Sequence, residues 1–137
     1  MSETATSDTG CVAEDLSPSA PRPATILLVD SLDACRVTTK WFLSTFGYVV
    51  ESVRSAAEAL ALFNPSIHDV IVTDNLMLGL TGVEMAQIIK QRSPSTPVIL
   101  YSEDVPDDQT SLDVVIQRPI HLLALKEAVG RLVVRRE

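Results

Sequence analysis

Five short apolar runs, each closing on a polar residue, constrain this chain more than any other feature. Ile26-Leu27-Leu28-Val29 ends at Asp30, Val70-Ile71-Val72-Thr73 at Asp74, Val98-Ile99-Leu100-Tyr101 at Ser102, and Val114-Val115-Ile116-Gln117 at Arg118. Tyr48 to Val53 supplies the remaining run. Continuous apolar stretches of this length predict strands buried on both faces, which parallel sheets require. Helical patterns lie between most of them. Cys35, Thr38, Thr39, Phe42 and Phe46 recur at helical spacing, and Gly47 stops that helix. Ser55-Ala56-Ala57-Glu58 and Thr81-Gly82-Val83-Glu84 each read as a capping box. The second of these opens a helix that runs to about Arg92 and closes at Ser93-Pro94. A last amphipathic helix carries Leu122, Leu123, Leu125, Val129, Leu132 and Val133. Strands alternating with helices predict an α/β fold, a doubly wound parallel sheet.

One connection departs from the pattern. Between Ser102 and Val114 stand only the residues Glu103 to Asp113, acidic and interrupted by Pro106. A parallel crossover with its helix needs about a dozen residues. The segment is therefore expected to hold one turn of helix or none.

The chain has 137 residues, 46% of them hydrophobic and 21% charged, enough for one packed domain. Residues 1–23 are rich in Ser, Thr, Ala and Pro and read as a disordered leader, leaving 24–137 as the domain. A net charge of -7 offers no basic face for nucleic acid, and Arg135 and Arg136 read as a solvated helix end. No apolar run approaches the ~20 residues of a membrane span, and Met1-Ser2-Glu3-Thr4 does not open a secretory signal, so a cytoplasmic location is expected. Cys11 and Cys35 sit in different contexts, which argues against a disulfide; Cys35 reads as a small core residue.

In an open parallel sheet, ligands gather outside the carboxyl ends of the strands. Asp30, Asp74, Ser102 and Arg118 each close a different strand there. One polar residue is ordinary strand termination, whereas two carboxylates, a hydroxyl and a guanidinium make a site. Two carboxylates on neighbouring strands can hold Mg²⁺, one of them can act as a nucleophile toward a phosphoryl group, and Ser102 and Arg118 can contact that group's oxygens. His68 and His121 lack paired ligand spacing and read as surface histidines. Tyr101 reads as half-buried packing, and Trp41, off the Phe42/Phe46 stripe, as partly exposed.

At these residues the chain resembles the receiver domains of two-component signalling. The resemblance spans about residues 25–133. It rests on Ile26 to Asp30, on Val72-Thr73-Asp74 with Gly82 eight residues on, on Pro97 to Ser102, and on Arg118-Pro119. It implies a flavodoxin-like, five-stranded sheet of order 2-1-3-4-5 and a cis bond before Pro119. It further implies that Asp74 accepts phosphate from a sensor histidine kinase or a phosphotransfer protein. Asp30, Asp74 and the backbone carbonyl of Leu76 would hold Mg²⁺, and Ser102 and Arg118 would contact the phosphoryl group.

Several positions depart from the family's pattern. Ser31 stands where a second acid is usual, which weakens the metal site. Asp33 is expected to cap the following helix rather than replace that acid. Arg118 replaces the usual lysine, exchanging a compact ammonium for a planar fork. Leu78 replaces a proline, Val115 stands at an aromatic switch position, and the fourth helix is reduced or absent. With nothing after the last helix, the chain reads as a stand-alone receiver, not an enzyme, that signals to an unknown protein target. The alternative is a pseudo-receiver that docks without phosphorylation. A phosphatase with an aspartyl nucleophile would want a second Asp at position 32, where Leu32 stands, and a flavin carrier would want a phosphate loop after the first strand.

Overall fold

The computed structural model describes residues 22–118 and 122–136. Most of the expected leader, Cys11, the bond before Pro119 and His121 lie outside them, as do the side chains of Arg135 and Arg136. The elements follow the sequence pattern: β1 (Thr25–Val29), α1 (Asp33–Ser44), β2 (Val49–Val53), α2 (Ala56–Leu62), β3 (Val70–Thr73), α3 (Gly82–Arg92), β4 (Val98–Ser102), β5 (Val114–Gln117) and α4 (Leu122–Arg136). All neighbouring strands are parallel, in the order β2-β1-β3-β4-β5. This is the order the resemblance implies.

Strand side chains alternate between faces, so each buried strand feeds two cores. Ile26, Leu28, Val70, Val72, Ile99 and Ile116 face Leu43 of α1 and Leu125, Val129 and Leu132 of α4. Leu27, Val29, Ile71 and Val98 face Ala56 and Ala59 of α2 and Met85, Ala86 and Ile89 of α3. The short side chains of α2 let that helix approach the sheet closely.

The β4–β5 connection contains no helix and makes one turn, in which the Leu112 amide donates to the Gln109 carbonyl. Leu112 reaches back to pack on the second core. Asp113 fixes the entry to β5: its carboxylate accepts from Val98 N at 2.7 Å and from Lys90 Nζ at 2.7 Å.

Both expected caps form, one of them incompletely. Around α3 the Thr81 hydroxyl and the Glu84 carboxylate satisfy each other's backbone N–H groups. At α2 the Ser55 hydroxyl accepts from Glu58 N, but the Glu58 carboxylate turns to Arg54 N instead. Gly47, at φ +92°, takes the left-handed conformation that ends α1.

The buried face of α1 differs from the expected stripe. Arg36, Thr39 and Leu43 are buried, Cys35 and Phe42 are half-buried, and Thr38 and Phe46 are exposed. The helix is turned so that Arg36 meets a buried partner, donating to the Asp30 carbonyl at 3.0 Å, while it also donates to the exposed Asp33 Oδ1 at 2.7 Å. Asp33 is consequently not the cap expected of it. Leu32 holds the N-cap position without a side-chain bond, and Asp33 pairs with Arg36 and Arg54. Trp41 is exposed on the same helix, and Tyr101 is buried rather than half-buried.

His68 is also not a surface residue; it is 1% exposed. Its Nδ1 accepts from Asn64 N at 3.0 Å, which places the ring proton on Nε2, 2.7 Å from Glu51 Oε1. Its ring stacks on Phe63. At the start of β1, Arg22 meets Asp69 through both carboxylate oxygens at 3.0 Å. We expect His68→Ala to cost about 2–4 kcal/mol, because it opens a cavity and strands the Asn64 amide. Urea titration would show a lower midpoint at an unchanged slope.

Candidate functional site

The parallel ladder delivers the site. Each strand-end residue is held by one further backbone bond: Asp30 N donates to Val53 O, Asp74 N to Val29 O, and Arg118 N to Ser102 O. Asp30 and Asp74 therefore emerge side by side from adjacent strands, and both are buried. Arg118 comes across from β5 and joins them. Its NH1 lies 3.3 Å from Asp30 Oδ2 and its NH2 lies 3.4 Å from Asp74 Oδ1. The guanidinium also sits over the Tyr101 ring, 5.3 Å from its centroid. Among the described residues its buried Nε finds no hydrogen-bond partner. Behind it, a cavity of about 250 Å³ is lined by Cys35, Thr38, Tyr101 and Leu122, so Cys35 borders a cleft rather than filling the core.

The carboxylate oxygens are unequally engaged. Asp30 Oδ1 accepts from Leu32 N at 2.9 Å and its Oδ2 from Arg118. Asp74 Oδ1 accepts from Asn75 N at 2.8 Å and faces Arg118. Asp74 Oδ2 accepts no hydrogen bond from the described residues. Ser102 is buried beside them, and its Oγ accepts from Asp104 N at 3.1 Å rather than bonding to either carboxylate. Leu76 and Leu78 are exposed on the loop after β3. Gly82 is required by close approach: a Cβ there would lie 2.2 Å from the Asp74 carbonyl oxygen.

Sequence reasoning missed two members of this region, Asn75 and Asp104. The Asn75 side chain is buried, accepts from Val83 N at 3.1 Å and donates to Asp104 Oδ2 at 2.5 Å. An Asn directly after a strand-end Asp, in a loop that must bury its polar groups, was the available signal. Asp104 carried none that distinguishes it from Glu103, Asp107 or Asp108.

Burial pushes the Asp30 carboxyl above its ordinary value; the Leu32 amide opposes this, Asp74's like charge adds to it, and Arg118 counters it. One guanidinium thus leaves the pair short of positive charge. Among the described residues no three His, Cys, Asp or Glu side chains come close enough together to hold a metal. Two carboxylates, backbone carbonyls and water nevertheless fit Mg²⁺, which keeps several waters and needs only one or two carboxylates.

Folding takes up a proton at Asp30 in the window between its unfolded and folded values, so the charge costs stability that disappears as pH falls through that window. In the presence of chelator, Asp30→Asn, the isostere of the protonated form, is expected to melt at or above the wild-type temperature at pH 7. The advantage should vanish near the ordinary carboxylate pKa. A melting series from neutral to acid pH checks both points.

The family model of the response regulator receiver domain matches residues 26–121. The response regulator MprA of Mycobacterium sp. (strain KMS) is 29% identical over 116 residues, covering 80% of this chain and 49% of MprA. The autoinducer 1 sensor kinase/phosphatase LuxN of Vibrio campbellii is 26% identical over 113 residues, covering 77% of this chain and 13% of LuxN. The chain thus spans less than half the length of each of these curated relatives. Among solved structures, the response regulator TrrA of Thermotoga maritima in complex with Mg²⁺–BeF superposes with a TM-score of 0.75 at 26% identity, covering 80% of this chain and 98% of TrrA. TrrA in complex with the histidine kinase ThkA gives a TM-score of 0.73. Strand order, strand-end chemistry and these likenesses agree, and the chain belongs to the response regulator receiver domain family of two-component signalling.

Proposed function

We propose that this receiver is phosphorylated on Asp74 by a histidine kinase or a phosphotransfer protein and signals through contacts of its own surface. The observation that carries the reading is the state of Asp74. Its carboxylate is buried and fixed through Oδ1 by Asn75 N and Arg118, while Oδ2 accepts no hydrogen bond from the described residues. A lone pair on Oδ2 would form the O–P bond as the N–P bond of a phosphohistidine breaks, its electron pair returning to the imidazole nitrogen. Arg118 and the Ser102 hydroxyl would be the donors that meet the new oxygens. Asp30, Asp74 and the Leu76 carbonyl would hold Mg²⁺, weakened by Ser31; the ion would supply positive charge for the transferring phosphoryl group. With no helix between β4 and β5, the output surface falls on α4 and the 103–113 segment.

Arg118 also favours a second reading. A guanidinium already bridging both carboxylates is a stable resting arrangement for a pseudo-receiver that docks without phosphate. Incubation with acetyl phosphate and Mg²⁺, followed by intact mass measurement, separates the two. We expect one added phosphoryl group in the wild type and none in Asp74→Asn or with excess chelator. An unmodified wild type, together with partner binding that survives Asp74→Asn, would establish the pseudo-receiver instead.

A further inference from the structure

Arg118 turns its two terminal nitrogens to Asp30 and Asp74, and its side chain is only 10% exposed. Its Nε–H is left over, buried and without a partner among the described residues. A buried donor with no acceptor is costly, and native structures rarely keep one without a reason. The same side chain lines the cleft of about 250 Å³ between α1 and α4, where Ala34, the half-buried Cys35, the Tyr101 ring and Leu122 form mostly apolar walls. Among the described residues that line it, Arg118 alone carries a formal charge.

That combination specifies an occupant. A volume of about 250 Å³ is the share of roughly eight water molecules, which suits a small organic molecule. The walls favour an apolar body. Charge disfavours both ionic classes. Two carboxylates already share the one guanidinium, and burial together with Asp74's like charge makes Asp30 hard to ionise, so an added anion meets the same shortage of positive charge. A cation meets Arg118 and no carboxylate on the described walls. We propose that the cleft is a binding site for a small neutral molecule with an apolar body and one carbonyl oxygen, which accepts from Arg118 Nε. Such binding needs no phosphoryl group on Asp74. The guanidinium that the occupant touches is the one that bridges Asp30 and Asp74, so a single side chain joins the cleft to the paired carboxylates.

Cyclohexanone, a neutral carbonyl compound of suitable size, is the probe, with cyclohexanecarboxylate and cyclohexylammonium as its charged counterparts. Titrated into the ¹⁵N-labelled full chain, it is expected to shift the Arg118 Nε–Hε resonance with a dissociation constant on the order of 1 mM, as suits so small a ligand. The charged counterparts should bind about tenfold more weakly. At twice the dissociation constant, mass action gives about threefold slower alkylation of Cys35 by iodoacetamide, with Cys11 of the same chain as the reference thiol. Arg118→Lys keeps the charge but removes Nε, and should weaken cyclohexanone about tenfold. Ala34→Leu narrows the cleft from its exposed edge without altering Arg118, and should abolish both the shift and the protection. The β1 and β3 amides report that each variant is folded; should Arg118→Lys fail to fold, Ala34→Leu decides. A still Nε–Hε resonance, an unprotected Cys35, a charged counterpart that binds as tightly, or a folded variant that binds like the wild type overturns the site.

Discussion

Two carboxylates buried side by side at the end of a parallel sheet are the constraint on which the rest of this structure depends. The register of β1 against β3 fixes Asp30 and Asp74 at neighbouring strand ends, and neither can retreat into solvent without breaking its backbone bond to the ladder. Like charges brought together out of water are costly unless a cation joins them. Arg118 is that cation. Its planar fork reaches both carboxylates at once, which a single ammonium on a lysine stem does less readily. The arrangement still leaves Asp30 harder to ionise than an ordinary carboxylate, and Arg118 Nε without a partner among the described residues. The two carboxylates are held together by the strand ladder, not by any attraction between them.

The same constraint explains which parts of the chain were legible from sequence. The strands were plain because burial on both faces forces a continuous apolar run, and the turn from apolar to polar at Asp30, Asp74, Ser102 and Arg118 marks where each strand leaves the sheet. The α3 capping box was plain because it is local. The rotation of α1 was not, because it depends on Arg36 finding the Asp30 carbonyl, a partner set by tertiary approach rather than by helical spacing. His68 looked like a surface residue because its partners, Asn64 and Glu51, pair with it only once β2 and the turn before β3 are in place. Asn75 lay unread beside the most prominent residue of the chain, because its role is to hold neighbours rather than to carry charge.

The missing helix between β4 and β5 bears on function through the same logic. In a doubly wound sheet a crossover helix would shield the face of β4 and β5 that carries Leu100 and Val115. Here Leu112 covers part of it, and Asp113 with Lys90 supplies the closure that a helix would otherwise give. Val115 is left half-buried on the edge strand.

A segment without internal helical hydrogen bonds has little structure of its own to defend, so its position is set by its attachments. Those attachments are unequal in kind. Asp113 and Leu112 are bound by groups remote from Asp74, whereas Asp104 is bound by Asn75, which also bonds Asp74, and by Ser102 at the end of the neighbouring strand. The reduced crossover is thus a segment placed by its two ends, one of them beside the paired carboxylates, rather than packed along its length.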